Sequence, residues 1–563
     1  MARQNGRGGG RGTPSPAPGD TAPQAPDERP EASSGAPPAG PTLEAGTGTA
    51  GTAGASGTGT TDTGTAETGT GTAETERMPL RRAIGLGLGP VLGLVVFALL
   101  AGGRNELTTS ACVVAAVTVL MAVWWMTEAV PFAVTALLPI ALYPVFGVAD
   151  VTTVAAPYAS DIVFLFLGGF VLALAMQRWG LHRRVALRIV LAVGTRPTRL
   201  IGGFMLATAL ISMWVSSTAT AMMMLPMGLS ILALLRKDGV EIDRNFSVCL
   251  MLGVAYGATM STTATIVATP GNAFVVAYMS QTHGIEITFA QWMLVGTPLS
   301  MLFLVIAWFL LTRFVFPPRI TEIPGGEDLV RSQLRDLGRM GRGERIIATL
   351  FTATALSWVF VPFLANWAPL AELAPWLGRV SEAGIAIVAA IACFVLPVRA
   401  RRGQMLMRWE DAADVPWGIL LMFGGGLSMS AMITHTGLSD WLGGHVAFLS
   451  GVPVVVTVVV VAVLILVLTE LTSTTATIAT YVPVMAGISA GLGHDPLLLV
   501  MTTVFAAGFA FMLPIATPPN AIAIASGHVT IGQMMRGGVW LNLVAMALVP
   551  LAIFTLASWV LGL

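Results

Sequence analysis

Charge is scarce in this sequence. Asp, Glu, Lys and Arg together make up 11% of its 563 residues, where soluble domains carry about 25%. The formal charge balances at zero, so no excess of basic residues offers a footprint for nucleic acid. Cysteine is rarer still. Cys112, Cys249 and Cys393 lie far apart in apolar runs, which excludes a disulfide framework or a metal-ligand spacing and leaves them as small buried hydrophobes. The six histidines are scattered, without a His-Glu-x-x-His pair, and there is no Walker loop, so nothing points to zinc, ATP or an organic cofactor. No nucleophile–base pair stands out either, which disfavours an intramembrane enzyme, and no soluble output domain suggests a sensor.

What the chain does have is apolar sequence, 55% of its residues. Residues 1–79 are the exception. Gly, Thr, Ala, Pro and Ser dominate there, too little large apolar surface to offset chain entropy, so the expectation is a disordered tail without the apolar core of a signal peptide. From Arg81 onward, runs long enough to cross a bilayer core of about 30 Å recur to the end. The expected architecture is an all-α polytopic membrane protein with about eleven crossings. A transporter domain would occupy 80–563, with repeat halves over about 110–317 and 344–563. Arg81 and Arg82 before the first span, and Arg313 to Arg345 in the main connecting loop, place those segments and the tail on the cytoplasmic side of a cell membrane.

Two segments, 200–235 and 453–492, do not read as simple spans, being too long for one crossing. At the middle of each sits a hydroxyl cluster, Ser216-Ser217-Thr218-Ala219-Thr220 and Ser473-Thr474-Thr475-Ala476-Thr477, at an offset of 257 residues. The same offset carries Gly168-Gly169 onto Gly425-Gly426, Gly180 onto Gly437, Ser212 onto Thr469 and Pro226 onto Pro483. Unsatisfied polar groups are costly in hydrocarbon. A matched pair of such clusters therefore reads as two re-entrant hairpins of inverted repeats, meeting at a binding site. A second pair of breaks follows, Ala268-Thr269-Pro270-Gly271-Asn272 and Ala516-Thr517-Pro518-Pro519-Asn520, now offset by 248. Proline after threonine ends a helix and frees carbonyls for a cation.

If helix continued through the clusters, Ser212 would stand one turn from Ser216, and Thr469 one turn from Ser473. Each pair, with a carbonyl from the facing break, would make a sodium cage and leave Thr218 and Thr475 to donate to a carboxylate. The bland alternative is that these hydroxyls bond back to their own helices. Glu470, beside the second cluster, reads as a brace for the hairpin before it reads as a proton carrier. Asp161, Glu382 and Asp414 read as solvated acids at span entrances.

These motifs, with Trp125-Met126-Thr127-Glu128-Ala129-Val130-Pro131, resemble those of the divalent anion:sodium symporters, in the family's order and over about 80–563. The resemblance implies a homodimer in the lipid bilayer, each protomer an elevator-type transporter. It implies one sodium site from Ser212, Ser216, Ser217 and the Ala268 carbonyl, and another from Thr469, Thr472, Thr474 and the Ala516 carbonyl. Substrate would touch Ser217, Thr218, Thr269, Thr474, Thr475, Thr517 and Pro518. Where the family carries Asn in each tip, this chain has Ser217 and Thr474. A hydroxyl must meet cation and carboxylate through one oxygen, where an amide offers separate groups. The expected activity is Na⁺-coupled symport of a small dicarboxylate such as succinate, malate or fumarate. The alternatives are a sodium-independent exchanger or a sulfate or oxyanion carrier and, more remotely, a cation/proton antiporter built on Glu470.

Overall fold

A computed structural model describes residues 80–103, 107–237, 243–399, 403–446 and 451–563. The tail expected over 1–79 lies outside them. Leaving aside helices of six residues or fewer, the order is α1 (Leu80–Gly102), α2 (Thr109–Thr127), α3 (Leu138–Val145), α4 (Asp161–Arg178) and α5 (Leu181–Val193), then α6 (Pro197–Ser212), α7 (Ser217–Lys237), α8 (Arg244–Met260), α9 (Pro270–His283) and α10 (Phe289–Leu310). After a connecting helix, α11 (Gly326–Asp336), come α12 (Arg342–Asn366), α13 (Glu382–Val395), α14 (Trp417–His435), α15 (Leu438–Val446) and α16 (Val454–Leu471), then α17 (Thr474–Gly491), α18 (Pro496–Ala507), α19 (Pro518–Ala525) and α20 (Ile531–Ala552). Among the described residues, ten helical segments are long and apolar enough to cross a membrane. They include α16 and most of α7, each of which is one arm of a hairpin.

The offset found in the sequence is carried by the backbone. Gly180 and Gly437 both adopt left-handed φ, 69° and 73°, and each turns the chain from a long apolar helix into a shorter one, α4 into α5 and α14 into α15. Only glycine takes that conformation without a Cβ penalty. Gly168 and Gly425 are both points of closest approach. A Cβ on Gly168 would lie 2.5 Å from the backbone of Ala386 on α13, and one on Gly425 would lie 2.3 Å from the Ala136 carbonyl. Each half thus packs its glycine helix against the other half.

The breaks cross over in the same way. Helix α9, after the first break, packs against α17 of the second hairpin, while α19, after the second break, packs against α7 of the first. Every residue of α8 from Phe246 to Met260 is buried. Burial on all sides suits a helix that is apolar all round and carries no face for lipid or water.

Two charged residues outside the hydroxyl clusters are structural. Arg184 is buried, pairs with Glu344, and donates to the Gly338 and Leu337 carbonyls, which fastens α5 to the connecting segment. Glu382, expected to be solvated, is half-buried, and its Oε1 accepts from the Phe289 backbone N–H at 2.7 Å. Asp161 is exposed, as expected. All three cysteines are free and buried.

Candidate functional site

Both hairpin tips and both breaks line one cavity of about 430 Å³. Helix α6 ends at Ser212, a turn follows, and α7 begins at Ser217; α16 ends at Leu471 and α17 begins at Thr474. The expectation that Ser212 and Ser216, or Thr469 and Ser473, stand one turn apart on a continuous helix is therefore corrected. In each pair the chain turns between them, because hydroxyl side chains favour helix starts over helix interiors.

The turn converts both clusters into helix N-termini. Ser216, Ser217 and Thr218 open α7, and Ser473, Thr474 and Thr475 open α17. Thr269 with Pro270 opens α9, and Thr517 with Pro518 opens α19, with proline at a position where its missing N–H costs nothing. All ten residues line the cavity. Four helix N-termini, each with unpaired backbone N–H groups and the positive end of a helix dipole, thus face one space. Among the described lining residues there is no Arg, Lys or His. Trp214, Phe351, Trp358, Phe166 and Phe170 supply an aromatic wall, which sequence reasoning missed because the residues come from two helices and a turn far apart in the chain.

Hydrogen bonding separates the tip hydroxyls from ordinary helix hydroxyls. Thr469 Oγ1 donates to the Ile465 carbonyl at 2.8 Å and Thr472 Oγ1 to Leu468 at 2.9 Å. This is the back-bonding alternative realised, and Thr472 Oγ1 also pairs with Thr477 Oγ1 at 2.7 Å, although each hydroxyl keeps an acceptor lone pair. Ser212 Oγ, buried behind the first tip, donates across to the Ala258 carbonyl at 3.3 Å. Thr474 Oγ1, by contrast, is buried with no partner. Among the described residues no protein partner is formed by the hydroxyls of Ser216, Ser217, Thr218, Ser473 or Thr475 either. Thr517 Oγ1 sits 3.3 Å from Thr259 Oγ1. Among the described residues, neither the Ala268 nor the Ala516 carbonyl accepts a hydrogen bond from another element.

The breaks are held open by groups that the sequence reading passed over. Asn272 Nδ2 donates to the Thr262 and Thr265 carbonyls at 2.6 and 2.8 Å. Asn520 Nδ2 donates to Ala510 and Leu513, both at 3.2 Å. The amides thus take four carbonyls of the breaks and leave those of Ala268 and Ala516 alone.

Glu470 is the brace. Its carboxylate accepts from the backbone N–H groups of Phe511, Met512 and Leu513 at 2.7–3.1 Å, and from Asn542 Nδ2 at 2.7 Å. It lies outside the tip cavity. Gly271, where the second half has Pro519, has a local cause: a Cβ there would lie 2.3 Å from Ile478 Cδ1 on α17.

Known proteins resemble this chain over most of its length. The chain is 37% identical over 500 residues to a sodium-dependent dicarboxylate transporter, SdcS, of Staphylococcus saprophyticus, covering 87% of this chain and 94% of that one. The SdcS of Staphylococcus aureus strain USA300 is 38% identical over 488 residues, covering 85% and 92%. Among solved structures, the YdaH transporter of Alcanivorax borkumensis superposes with a TM-score of 0.53 at 12% identity, over 85% of this chain and 98% of that one. That likeness is one of fold. The model of the sodium:sulfate symporter transmembrane region matches residues 90–563, and the chain belongs to that family of membrane transporters.

Proposed function

We propose that this protein is a secondary active transporter, not an enzyme, that couples Na⁺ entry to uptake of small dicarboxylates such as succinate, malate or fumarate. The observation that carries the reading is the convergence of four helix N-termini and six uncommitted tip hydroxyls on a cavity with no basic side chain among its described lining residues. N-termini and hydroxyls favour a carboxylate. Their partial charges fall short of two full negative charges, and bound Na⁺ makes up the difference. Substrate and ion then stabilise each other, which is the physical content of coupling. The two relatives named as sodium-dependent dicarboxylate transporters support the same substrate and ion.

In this reading Ser217, Thr218, Thr269, Thr474, Thr475, Thr517 and Pro518 contact the substrate. Ser212, Ser216, Ser217 and the Ala268 carbonyl hold one sodium ion; Thr469, Thr472, Thr474 and the Ala516 carbonyl hold the other. The two hairpins and the two break helices, packed reciprocally, move as one body past a scaffold that dimerises in the cell membrane, with the N-terminal tail in the cytoplasm. The repeat halves, about 110–317 and 344–563, run in opposite senses across the bilayer.

One observation favours a second reading. Ser217 and Thr474 stand where an amide would serve cation and carboxylate separately, which points to a sodium-independent exchanger or a sulfate carrier. An antiporter built on Glu470 has less support, since that carboxylate is engaged by backbone donors away from the cavity. Labelled succinate uptake into proteoliposomes, with an inward Na⁺ gradient or with choline, and with or without internal succinate, separates these. Uptake that needs the Na⁺ gradient is expected. Uptake that needs only internal succinate would establish exchange, and silence throughout, with sulfate moving instead, would establish the oxyanion carrier.

A further inference from the structure

The only charged side chain among the described residues lining the tip cavity is an acid, Asp414. It ends the short 3₁₀ turn Trp409–Asp414, just before Pro416 and α14, and it is exposed. Its neighbours are neutralised. Arg178 pairs with Asp411, and Arg408 with Glu410 at 3.9 Å. Arg178 follows Gln177, which does line the cavity, so the basic group closest in sequence to this wall is spent on Asp411. Asp414 itself has no ion-pair partner among the described residues, and no basic side chain among the described lining residues offsets its charge.

A cavity of about 430 Å³ has room for acids larger than succinate, within the usual range of about 300–1,000 Å³ for small-molecule sites. Size alone does not keep out a third carboxylate. We propose that Asp414 is a specificity-determining residue that restricts this site to dianions by repelling the additional charge of a tricarboxylate. The inference rests on the dicarboxylate reading above and adds the residue that sets its upper limit of charge. Repulsion scales with ligand charge. Removing Asp414 therefore helps every anion, and a trianion more than a dianion.

The test uses the full chain in proteoliposomes, with labelled succinate uptake driven by Na⁺ and inhibited by unlabelled succinate or propane-1,2,3-tricarboxylate. The ratio of the two inhibition constants does not depend on the amount of active protein. Asp414→Asn is expected to shift that ratio toward the tricarboxylate by about threefold, and Asp414→Lys by about tenfold, as one and two unit charges across a solvated mouth predict. Both shifts should shrink as ionic strength rises, and Asp414→Glu should keep the original ratio. An unchanged ratio in the Asn and Lys variants, with succinate uptake intact, overturns the role of Asp414. Failure of the unaltered protein to take up succinate under any gradient overturns the dicarboxylate reading, and this inference with it.

Discussion

Asn272 and Asn520 make the same pair of hydrogen bonds in the two halves of the chain. Each side-chain amide donates to the carbonyls ten and seven residues before it, Thr262 and Thr265 in one case, Ala510 and Leu513 in the other. In both halves these carbonyls belong to backbone that has left its helix, and both asparagines are buried at 1% exposure or less. A broken helix inside a membrane protein persists only if its freed groups find partners. The two amides are those partners, and they hold the stretches that present Thr269 and Thr517 to the cavity.

Asn272→Ala and Asn520→Ala each leave two buried or half-buried carbonyls without their side-chain donor. The expected cost is about 1–3 kcal/mol per unsatisfied group. It should be read as a lowered thermal midpoint of the detergent-solubilised protein, with loss of succinate uptake. Asn→Asp at either position should do no better, because a carboxylate cannot donate. Unchanged midpoints in all four variants would show that the breaks hold without the amides.

Thr218→Ala and Thr475→Ala remove tip hydroxyls that have no protein partner among the described residues. Folding stability should therefore stay within about 0.5 kcal/mol of the parent. The half-saturating succinate concentration should rise, by about 0.5–1.5 kcal/mol for a neutral hydrogen bond and up to ~3 kcal/mol for one to a charged group. Concentration-dependent uptake checks this, and intact affinity in both variants would make the tips structural.

Glu470→Gln keeps the size of the side chain but removes the charge that binds three backbone N–H groups. Charge-assisted hydrogen bonds are roughly twice as strong as neutral ones. Destabilisation of about 2–4 kcal/mol is expected, seen in thermal unfolding with or without Na⁺. A variant that unfolds like the parent, yet loses its dependence on Na⁺, would instead mark Glu470 as part of the ion path.

Gly271→Ala puts a methyl against Ile478 Cδ1, and overpacking of this kind costs about 1–3 kcal/mol. Ile478→Val removes the atom in conflict. The double variant should recover most of the stability lost in Gly271→Ala, a coupling that a double-mutant cycle on thermal unfolding measures. Additive losses would mean that the close approach of α9 and α17 is not what selects glycine.

The repeat is legible in the order of residues alone, because both halves spell the same breaks. Gly180 and Gly437, and Ser216 and Ser473, recur at an offset of 257 and Thr269 and Thr517 at 248, and helix-ending chemistry is local to the residues that carry it. The brace at Glu470 is legible for the same reason: an acid within apolar sequence needs partners nearby. The helix ends at Ser212 and Leu471 are not, since hydrophobicity runs through the turn and hides where the backbone reverses.

Sequence by itself determined that this chain is an apolar, duplicated, helical membrane protein whose hydroxyls cluster at paired breaks, since composition, period and repetition are written one residue at a time. Tertiary structure decided which of those hydroxyls stay uncommitted and that four helix starts share one cavity. It also decided that Asn272 and Asn520 close the breaks, that Arg184 is spent on Glu344, and that Asp414 meets the cavity. Each of these depends on groups distant in the chain coming within a few ångströms. Hydrogen bonds and charge act over those distances, and one-dimensional spacing does not fix them.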